Sequence, residues 1–352
     1  MMRLEATARL AIATTRVERK DSNTLFRSGT FSHQSPTREV AALASVTREK
    51  KFDLPPPVAT EVLRLKDGAS IRLRRFGRPG ATRVALSHGN GLAINAYAPF
   101  WLPLAERYDL VLFDMRNHGE NPLHDESAHR WINFYSDIDE IALGIAHKFG
   151  PAKTVGVFHS LSSIAALKHA LLYGKRWDAL CVFDPPIMPP ADHPLHAPQE
   201  ADMRRRSAHA LHRIERFESP EQLANQYRRH PAFQGFVPGA ASLLARHTLR
   251  TADDGFWTLS CPRRYEARTF RENADTEIFS RLPYMPMPLR IVASDPDSPH
   301  AIPTAAVWRA ANDTFGLDYV ALPKTTHFLQ LEQPQACREL LYEFILRHGL
   351  AA

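Results

Sequence analysis

The sequence has few cysteines and no long apolar segment. Only three cysteines occur among its 352 residues (Cys181, Cys261 and Cys337), and their spacing is not that of a metal site. An odd number of cysteines without a disulfide pattern favours reduced, buried thiols in a cytoplasmic protein. No apolar run approaches the roughly 18 residues that a membrane helix requires, so we expect no membrane span.

Nucleotide-binding and nucleic-acid-binding motifs are also missing. The chain carries a net charge of +6, and its densest basic run is MRRRSAHALHR at Met203–Arg213, but no nucleic-acid-binding motif accompanies it. We interpret that run as a solvated helix face, with binding of an anionic substrate group as the alternative. The glycine-rich HGNG segment lacks Gly-x-Gly-x-x-Gly spacing, and no P-loop lysine follows it. The sequence therefore predicts no nucleic-acid partner, no cofactor and no metal.

Short apolar runs alternate with helical patterns over most of the chain. Residues 1–53 lack sustained periodicity and are predicted to be a flexible N-terminal extension, which ends where LPPP begins at Leu54. Two β-like segments follow, and then come the buried runs RVALSH, YDLVLFD, TVGVF, DALCVFD and PLRIVAS, separated by helices. This order predicts an α/β fold, with a doubly wound, mostly parallel sheet that has an antiparallel start.

The alternation of strands and helices stops between Pro186 and Pro286. We predict that residues 186–286, which are polar, helical and rich in Arg and His, form a helical cap. The core is then made of residues 54–185 and 287–352. Ligands of such sheets bind outside the carboxyl ends of the strands, so the candidate chemistry should lie there.

Ser160 lies between a buried run and a helix in the segment TVGVFHSLSSIAALKHALL. A nucleophile at such a turn is expected in the pattern Gly-x-Ser-x-Gly, because small residues fit the crowded turn. Ser162 is small, but Phe158 is not, so the Phe158 side chain would have to point back into the sheet packing. Ser160 is accordingly a candidate nucleophile, with an ordinary structural serine as the alternative.

The segment SHGNGL at Ser87–Leu92 follows an earlier strand. Acyl transfer places negative charge on a carbonyl oxygen, which two backbone N–H groups can stabilise. The donors predicted by this layout are Leu161, the residue after the nucleophile, and Asn90.

His327 lies between the last strand and the last helix, in TTHFLQLEQP, and is the candidate general base. Its orienting acid has two candidates, which are Asp184 after one strand and Asp297 after the next strand beyond the cap. Asp297 has the more usual placement for the order Ser, Asp, His, and Asp184 the alternative one. His118 and Arg116 are expected to order their own loop.

Glu266 has no partner that the sequence can assign, and His159 is expected to pack under the nucleophile turn.

Four segments taken together, HGNG, DMRNHGENP, FHSLSS and THFLQLEQP, resemble the α/β-hydrolase superfamily. The resemblance covers about residues 54–348. The basic cap segment and VFDPP are similar to a branch of bacterial hydrolases that also includes the fungal acyl-CoA hydrolases of the mycophenolic acid pathway. This resemblance implies an α/β-hydrolase fold and a triad of Ser160, Asp184 and His327.

The resemblance, with the residues above, predicts an enzyme that hydrolyses a small-molecule carboxylic ester or a thioester such as an acyl-CoA. Two alternatives stay open: a catalytically silent scaffold that binds a ligand or protein, which Phe158 would favour, and an acyltransferase that uses the same triad.

Overall fold

The computed structural model of the protein describes residues 52–351. Except for Phe52 and Asp53, the predicted N-terminal extension lies outside these residues. The strands are β1 (Ala59–Arg64), β2 (Ser70–Gly77), β3 (Arg83–Leu86), β4 (Asp109–Phe113), β5 (Thr154–His159), β6 (Ala179–Phe183), β7 (Arg216–Phe217), β8 (Leu249–Thr251), β9 (Trp257–Leu259), β10 (Leu289–Ala293) and β11 (Asp318–Ala321).

The α-helices are α1 (Ala98–Trp101), α2 (Trp131–Phe149), α3 (Leu161–Tyr173), α4 (His196–His212), α5 (Pro220–Arg229), α6 (Ala240–Thr248), α7 (Arg263–Arg271), α8 (Glu277–Arg281), α9 (Pro303–Phe315), α10 (Leu329–Glu332) and α11 (Pro334–Arg347). Short 3-10 helices occupy Ile94–Tyr97, Leu102–Glu106, Glu126–Ala128, Pro231–Phe233 and Leu282–Tyr284.

Eight strands form one sheet in the order β1-β2-β4-β3-β5-β6-β10-β11. The β1–β2 and β2–β4 pairs are antiparallel, and the remaining pairs are parallel. This arrangement is the predicted mostly parallel sheet with an antiparallel start. The central strands β3, β5 and β6 are buried along their whole length, as strands covered by helices on both faces must be.

The core lies on both faces of this sheet because successive side chains of a strand point to opposite sides. In β5, Val155 and Val157 pack into the apolar cluster on one face, and Phe158 packs into the cluster on the other. Helix α2 is followed by Gly150, where φ is 80° and glycine avoids the strain that a Cβ would bring.

The segment between β6 and β10, called the insertion below, carries α4–α8 and a small antiparallel sheet in the order β7-β9-β8. The sequence did not predict this sheet, because its strands are only two or three residues long. Ser207 Oγ in α4 donates to the Ala267 carbonyl in α7 over 2.8 Å, which ties two helices of the insertion together.

The three cysteines are buried and unpaired. Within residues 52–351, no helix combines the length and the apolar character needed to cross a lipid bilayer.

Candidate active site

Ser160 is the single residue between β5 and α3. Its backbone has φ 52° and ψ −110°, a conformation that costs a non-glycine residue about 1–3 kcal/mol and that surrounding structure must impose. The Ser160 N–H donates to the Phe183 carbonyl over 3.0 Å, and the Ser160 carbonyl accepts from the Ile164 N–H over 3.0 Å. The strained turn is therefore fixed to the neighbouring strand and to its own helix.

The two unusual residues flanking Ser160 fit this turn. Phe158 is fully buried, and its ring packs edge-on against Phe113 and Trp177, with centroids 6.0 and 5.5 Å away. Its side chain points into the sheet packing, as predicted. Ser162 Oγ donates to the His159 carbonyl over 3.0 Å and accepts from the His159 N–H over 3.1 Å. A hydroxyl thus braces the turn where glycine is the usual residue.

The structure brings Ser160, His327 and Asp184 together. His327 Nε2 lies 3.0 Å from Ser160 Oγ, and His327 Nδ1 lies 2.6 Å from Asp184 Oδ2. Because an ionised carboxylate only accepts hydrogen bonds, Nδ1 carries the proton and Nε2 of the neutral ring is free to accept from the serine hydroxyl.

Asp184 follows β6 directly with φ 45° and is fully buried. Its Oδ1 accepts from both the Ser294 N–H (2.9 Å) and the Ser294 hydroxyl (3.0 Å) at the end of β10. Burial by itself raises the pKa of Asp184, but the hydrogen bond and charge of His327, together with the Ser294 N–H, hold that pKa below its ordinary value. The carboxylate is therefore ionised at neutral pH. Sequence reasoning missed Ser294, since nothing in a lone serine after a strand indicates its partner.

The structure does not bring Asp297, the other candidate acid, to His327. The Asp297 side chain is 76% exposed and forms a two-pronged ion pair with Arg309, at 3.0 and 2.6 Å. The loop after β10 places Asp297 near α9 and solvent, and Ser294 lies beside Asp184.

The loop that carries His327 is held by Glu332, a residue that the sequence did not single out. The Glu332 carboxylate accepts from the N–H and the hydroxyl of Thr326, each over 2.6 Å. Burial raises the pKa of Glu332, although these hydrogen bonds act in the opposite direction. The residue before the histidine is thereby fixed.

Gly89 lets the loop after β3 approach Ser160 closely. A Cβ at this position would lie 2.9 Å from His159 Nδ1 and 3.1 Å from Ser160 Cβ, so no other residue fits without displacement. On the far side of the loop, His118 Nε2 accepts from the Gly91 N–H over 3.1 Å, and His118 Nδ1 donates to the Arg116 carbonyl over 2.8 Å. Burial lowers the pKa of His118 well below its ordinary value. His118 thus orders its neighbours, as predicted.

The two predicted oxyanion donors lie on either side of Ser160. Leu161 is the first residue of α3, so its N–H has no acceptor within the helix, and Asn90 follows Gly89 in the approaching loop. Neither N–H donates to another residue in the part of the chain that the structure describes.

Glu266 of the insertion also holds this loop. Its carbonyl accepts from Asn90 Nδ2 over 2.9 Å, and a Cβ on Gly91 would lie 2.7 Å from its carboxyl carbon. The partner that the sequence left unassigned is Arg213, whose Nη1 lies 2.7 Å from Glu266 Oε2.

His159 joins the loop to the base. Its Nε2 donates to the His327 carbonyl (2.8 Å), and its Nδ1 accepts from the Tyr97 hydroxyl (2.7 Å), which in turn accepts from the Gly89 N–H (3.3 Å). Burial lowers the pKa of His159 to about 3, so the ring is neutral. Its packing under the turn was predicted from the sequence, whereas the role of Tyr97 was not.

A cavity of about 350 Å³ opens above these residues. Its floor is formed by Gly89, Asn90, Ser160 and His327, and residues of the insertion form most of its wall. A strained serine, a histidine, a buried carboxylate and two amides without an acceptor among the described residues thus lie together at the carboxyl edge of the sheet, beside this cavity.

Comparison with known proteins gives a family match over most of the chain. The model described as "Alpha/beta hydrolase family" matches residues 84–340. This span includes both candidate acids, Ser160, His327 and the whole insertion.

Solved structures give the same fold. E-2-(acetamidomethylene)succinate hydrolase is 16% identical with a TM-score of 0.66, covering 82% of this chain and 98% of its own. A thioesterase domain from the curacin biosynthetic pathway is 18% identical with a TM-score of 0.62, covering 80% and 99%. A structure from work on carboxylesterases of the thaumarchaeon Nitrososphaera gargenis is 12% identical with a TM-score of 0.61, covering 82% and 99%.

These matches confirm the predicted α/β-hydrolase fold and the resemblance to that superfamily. The narrower resemblance to the mycophenolic-acid-pathway hydrolases stays a prediction.

Proposed function

The chain belongs to the alpha/beta hydrolase family, and from this premise we propose that it is a serine hydrolase that cleaves a carboxylic ester or thioester through an acyl-Ser160 intermediate. The observation that carries the proposal is the unbroken hydrogen-bond chain from Ser160 Oγ through His327 to Asp184, with contacts of 3.0 and 2.6 Å. This chain ends at a cavity large enough for a small molecule.

In the first half of the reaction, Ser160 Oγ attacks the substrate carbonyl carbon while His327 Nε2 takes its proton. The resulting imidazolium is stabilised by the Asp184 carboxylate. The N–H groups of Asn90 and Leu161 donate to the carbonyl oxygen as it becomes negative. Collapse of the tetrahedral intermediate breaks the bond to the alcohol or thiol, which leaves with the proton from His327.

In the second half, water attacks the acyl-Ser160 carbonyl and gives a proton to His327. The acid product departs as His327 passes this proton to Ser160 Oγ. An alcohol or thiol in place of this water would make the protein an acyltransferase. The two activities are separated by adding an alcohol acceptor and measuring acid and transfer product together.

The scaffold alternative depended on Phe158, and that support is weakened because the ring lies in the core and not in the turn. We also propose that residues 186–286 act as a cap over the site. Three buried, unpaired thiols support a reducing compartment such as the cytoplasm.

A fluorophosphonate probe tests the proposal, because it labels a serine only when the hydroxyl is activated. We expect labelling of the wild type and none of Ser160→Ala. The matched control is Ser163→Ala, whose buried Oγ has no hydrogen-bond partner within the described residues and which should label like the wild type. If the wild type is not labelled although a thermal unfolding transition shows that it is folded, the result would favour the scaffold alternative.

A further inference from the structure

One wall of the cavity is a basic face of the insertion. Arg206 and Ala210 are four residues apart on α4 and project to the same side of the helix, and Arg213 is the residue directly after the helix. All three line the cavity that contains Ser160. The question is which charges on this face are already neutralised.

Arg213 is neutralised within the protein. Its Nη1 lies 2.7 Å from Glu266 Oε2, and Glu266 supplies the one carboxylate among the cavity-lining residues of the described chain. Glu266 also holds the loop of Asn90 through its carbonyl, so this ion pair is part of the framework of the site.

Arg206 is neutralised only in part. Its Nε donates to Asp202 Oδ2 over 2.6 Å, but the buried Asp202 carboxylate also accepts from Arg205. Two guanidinium groups therefore share one carboxylate, which leaves one positive charge in excess. The terminal nitrogens Nη1 and Nη2 of Arg206 donate to no acceptor within residues 52–351.

Arg205 and Arg206 differ in their position relative to the cavity. The Arg205 side chain is 59% exposed and is not part of the cavity, whereas Arg206 is 26% exposed and lines it. Much of the remaining wall is apolar or aromatic, and its members are Leu92, Leu223, Phe233, Leu244, Phe270 and Phe328. In such surroundings a charge-assisted hydrogen bond is stronger than in water.

We propose that the substrate carries an anionic oxygen group, a carboxylate or a phosphate, which Arg206 binds through its two free terminal nitrogens. The planar guanidinium presents these donors as a fork that matches two oxygens of one such group. The inference rests on the proposed function, since it concerns the substrate of the same site. The anion can belong to the acyl part or to the leaving group, and the test separates the two.

The test compares wild type, Arg206→Gln and the matched control Arg205→Gln, each of which keeps one arginine on Asp202. Mono-p-nitrophenyl glutarate places a carboxylate on the acyl part, and p-nitrophenyl butyrate is its neutral counterpart. Butyryl-CoA places phosphates on the leaving group, and butyryl-N-acetylcysteamine is its neutral counterpart.

We expect Arg206→Gln to lower kcat/KM about 10–100-fold for the anionic member of one pair, mainly by raising KM, as loss of a charge-assisted bidentate contact should. Its neutral counterpart should change less than about twofold, and Arg205→Gln should change neither. Equal losses on anionic and neutral substrates, or equal losses in both variants, would overturn the proposal.

Binding to the Ser160→Ala protein keeps this outcome distinct from failure of the proposed function. Calorimetric titration with monomethyl glutarate and with butyryl-CoA should show binding of one ligand that Arg206→Gln weakens about tenfold or more. If Ser160 proves unreactive but this dependence holds, the hydrolase proposal fails and the anion site stands. If Ser160 reacts and neither ligand depends on Arg206, the anion site is wrong.

Discussion

The loops after β6 and after β10 each present an aspartate at the same edge of the sheet, but with opposite surroundings. Asp184 is buried, bonded to His327 Nδ1 at 2.6 Å and supported by two donors of Ser294. Asp297 projects into solvent and pairs with Arg309 of α9. The two strands are direct neighbours, so position along the sheet does not explain the difference.

Backbone direction and local partners explain it instead. Asp184 has φ 45°, which turns its side chain from the strand end toward His327. The residue at the equivalent end of β10 is Ser294, which can donate to Asp184 but cannot orient a histidine as an anion. One loop provides the carboxylate, and its neighbour provides hydrogen bonds that hold that carboxylate in place beside His327.

The largest expected effect comes from Asp184→Asn. The asparagine amide has only one accepting oxygen, so it cannot accept from both His327 and Ser294 as the carboxylate does. Either His327 changes its tautomer or the buried amide is left without one hydrogen-bond partner. We expect kcat for ester hydrolysis to fall about 10³–10⁴-fold, as in triads that lose this acid. Steady-state kinetics with p-nitrophenyl butyrate measures it, with a thermal midpoint to verify folding. A variant that kept a tenth of the activity would show that Asp184 is not the orienting acid.

The pH dependence of the free energy of unfolding gives a second test of the two regions. The pKa of His159, which bonds to the His327 carbonyl, is about 3 in the folded protein, against an ordinary value of 6.5. Below pH 6.5 the unfolded chain gains a proton that the folded chain excludes. The free energy of unfolding should therefore fall from pH 6.5 toward pH 3, by up to about 1.4 kcal/mol per pH unit for this group.

Urea unfolding at several pH values measures the slope of the free energy of unfolding against pH. His159→Gln should reduce it, because a glutamine does not titrate. Asp297→Asn should leave the slope unchanged between about pH 6.5 and 4.5, since Arg309 holds the pKa of Asp297 below 3.8 and its carboxylate stays ionised there. An unchanged slope in His159→Gln would mean that other groups cause the acid sensitivity.

The two loops also show what the sequence can predict. Apolar runs and helical periodicity were enough for the succession of strands and helices along the core, the mostly parallel sheet and the place of Ser160 between a strand and a helix, because these depend on local patterns. The choice between Asp184 and Asp297 was left open, since it depends on the backbone angle of one residue and on a donor more than a hundred residues away. Glu332 and Tyr97 were missed for the same reason.

A smaller loss is expected from Ser294→Ala, which removes the hydroxyl donor to Asp184 Oδ1 and keeps the backbone donor. A hydrogen bond to a charged group contributes about 1.5–3 kcal/mol, of which part should appear in the transition state, where the His327–Asp184 pair is charged. We expect kcat to fall about 5–30-fold. The matched control is Ser298→Ala, in the exposed loop that holds Asp297, and it should retain wild-type kcat. Equal losses in the two variants would show that the support does not act through Asp184.

The smallest effect is expected from Asp297→Asn. Its ion pair with Arg309 is exposed to solvent, where such pairs contribute little, and no hydrogen bond joins the Asp297 side chain to His327 within the described residues. The kcat for p-nitrophenyl butyrate should change less than about twofold, and KM should change equally little. A loss approaching that of Asp184→Asn would mean that the loop after β10 turns inward during catalysis and that its acid serves the histidine in place of Asp184.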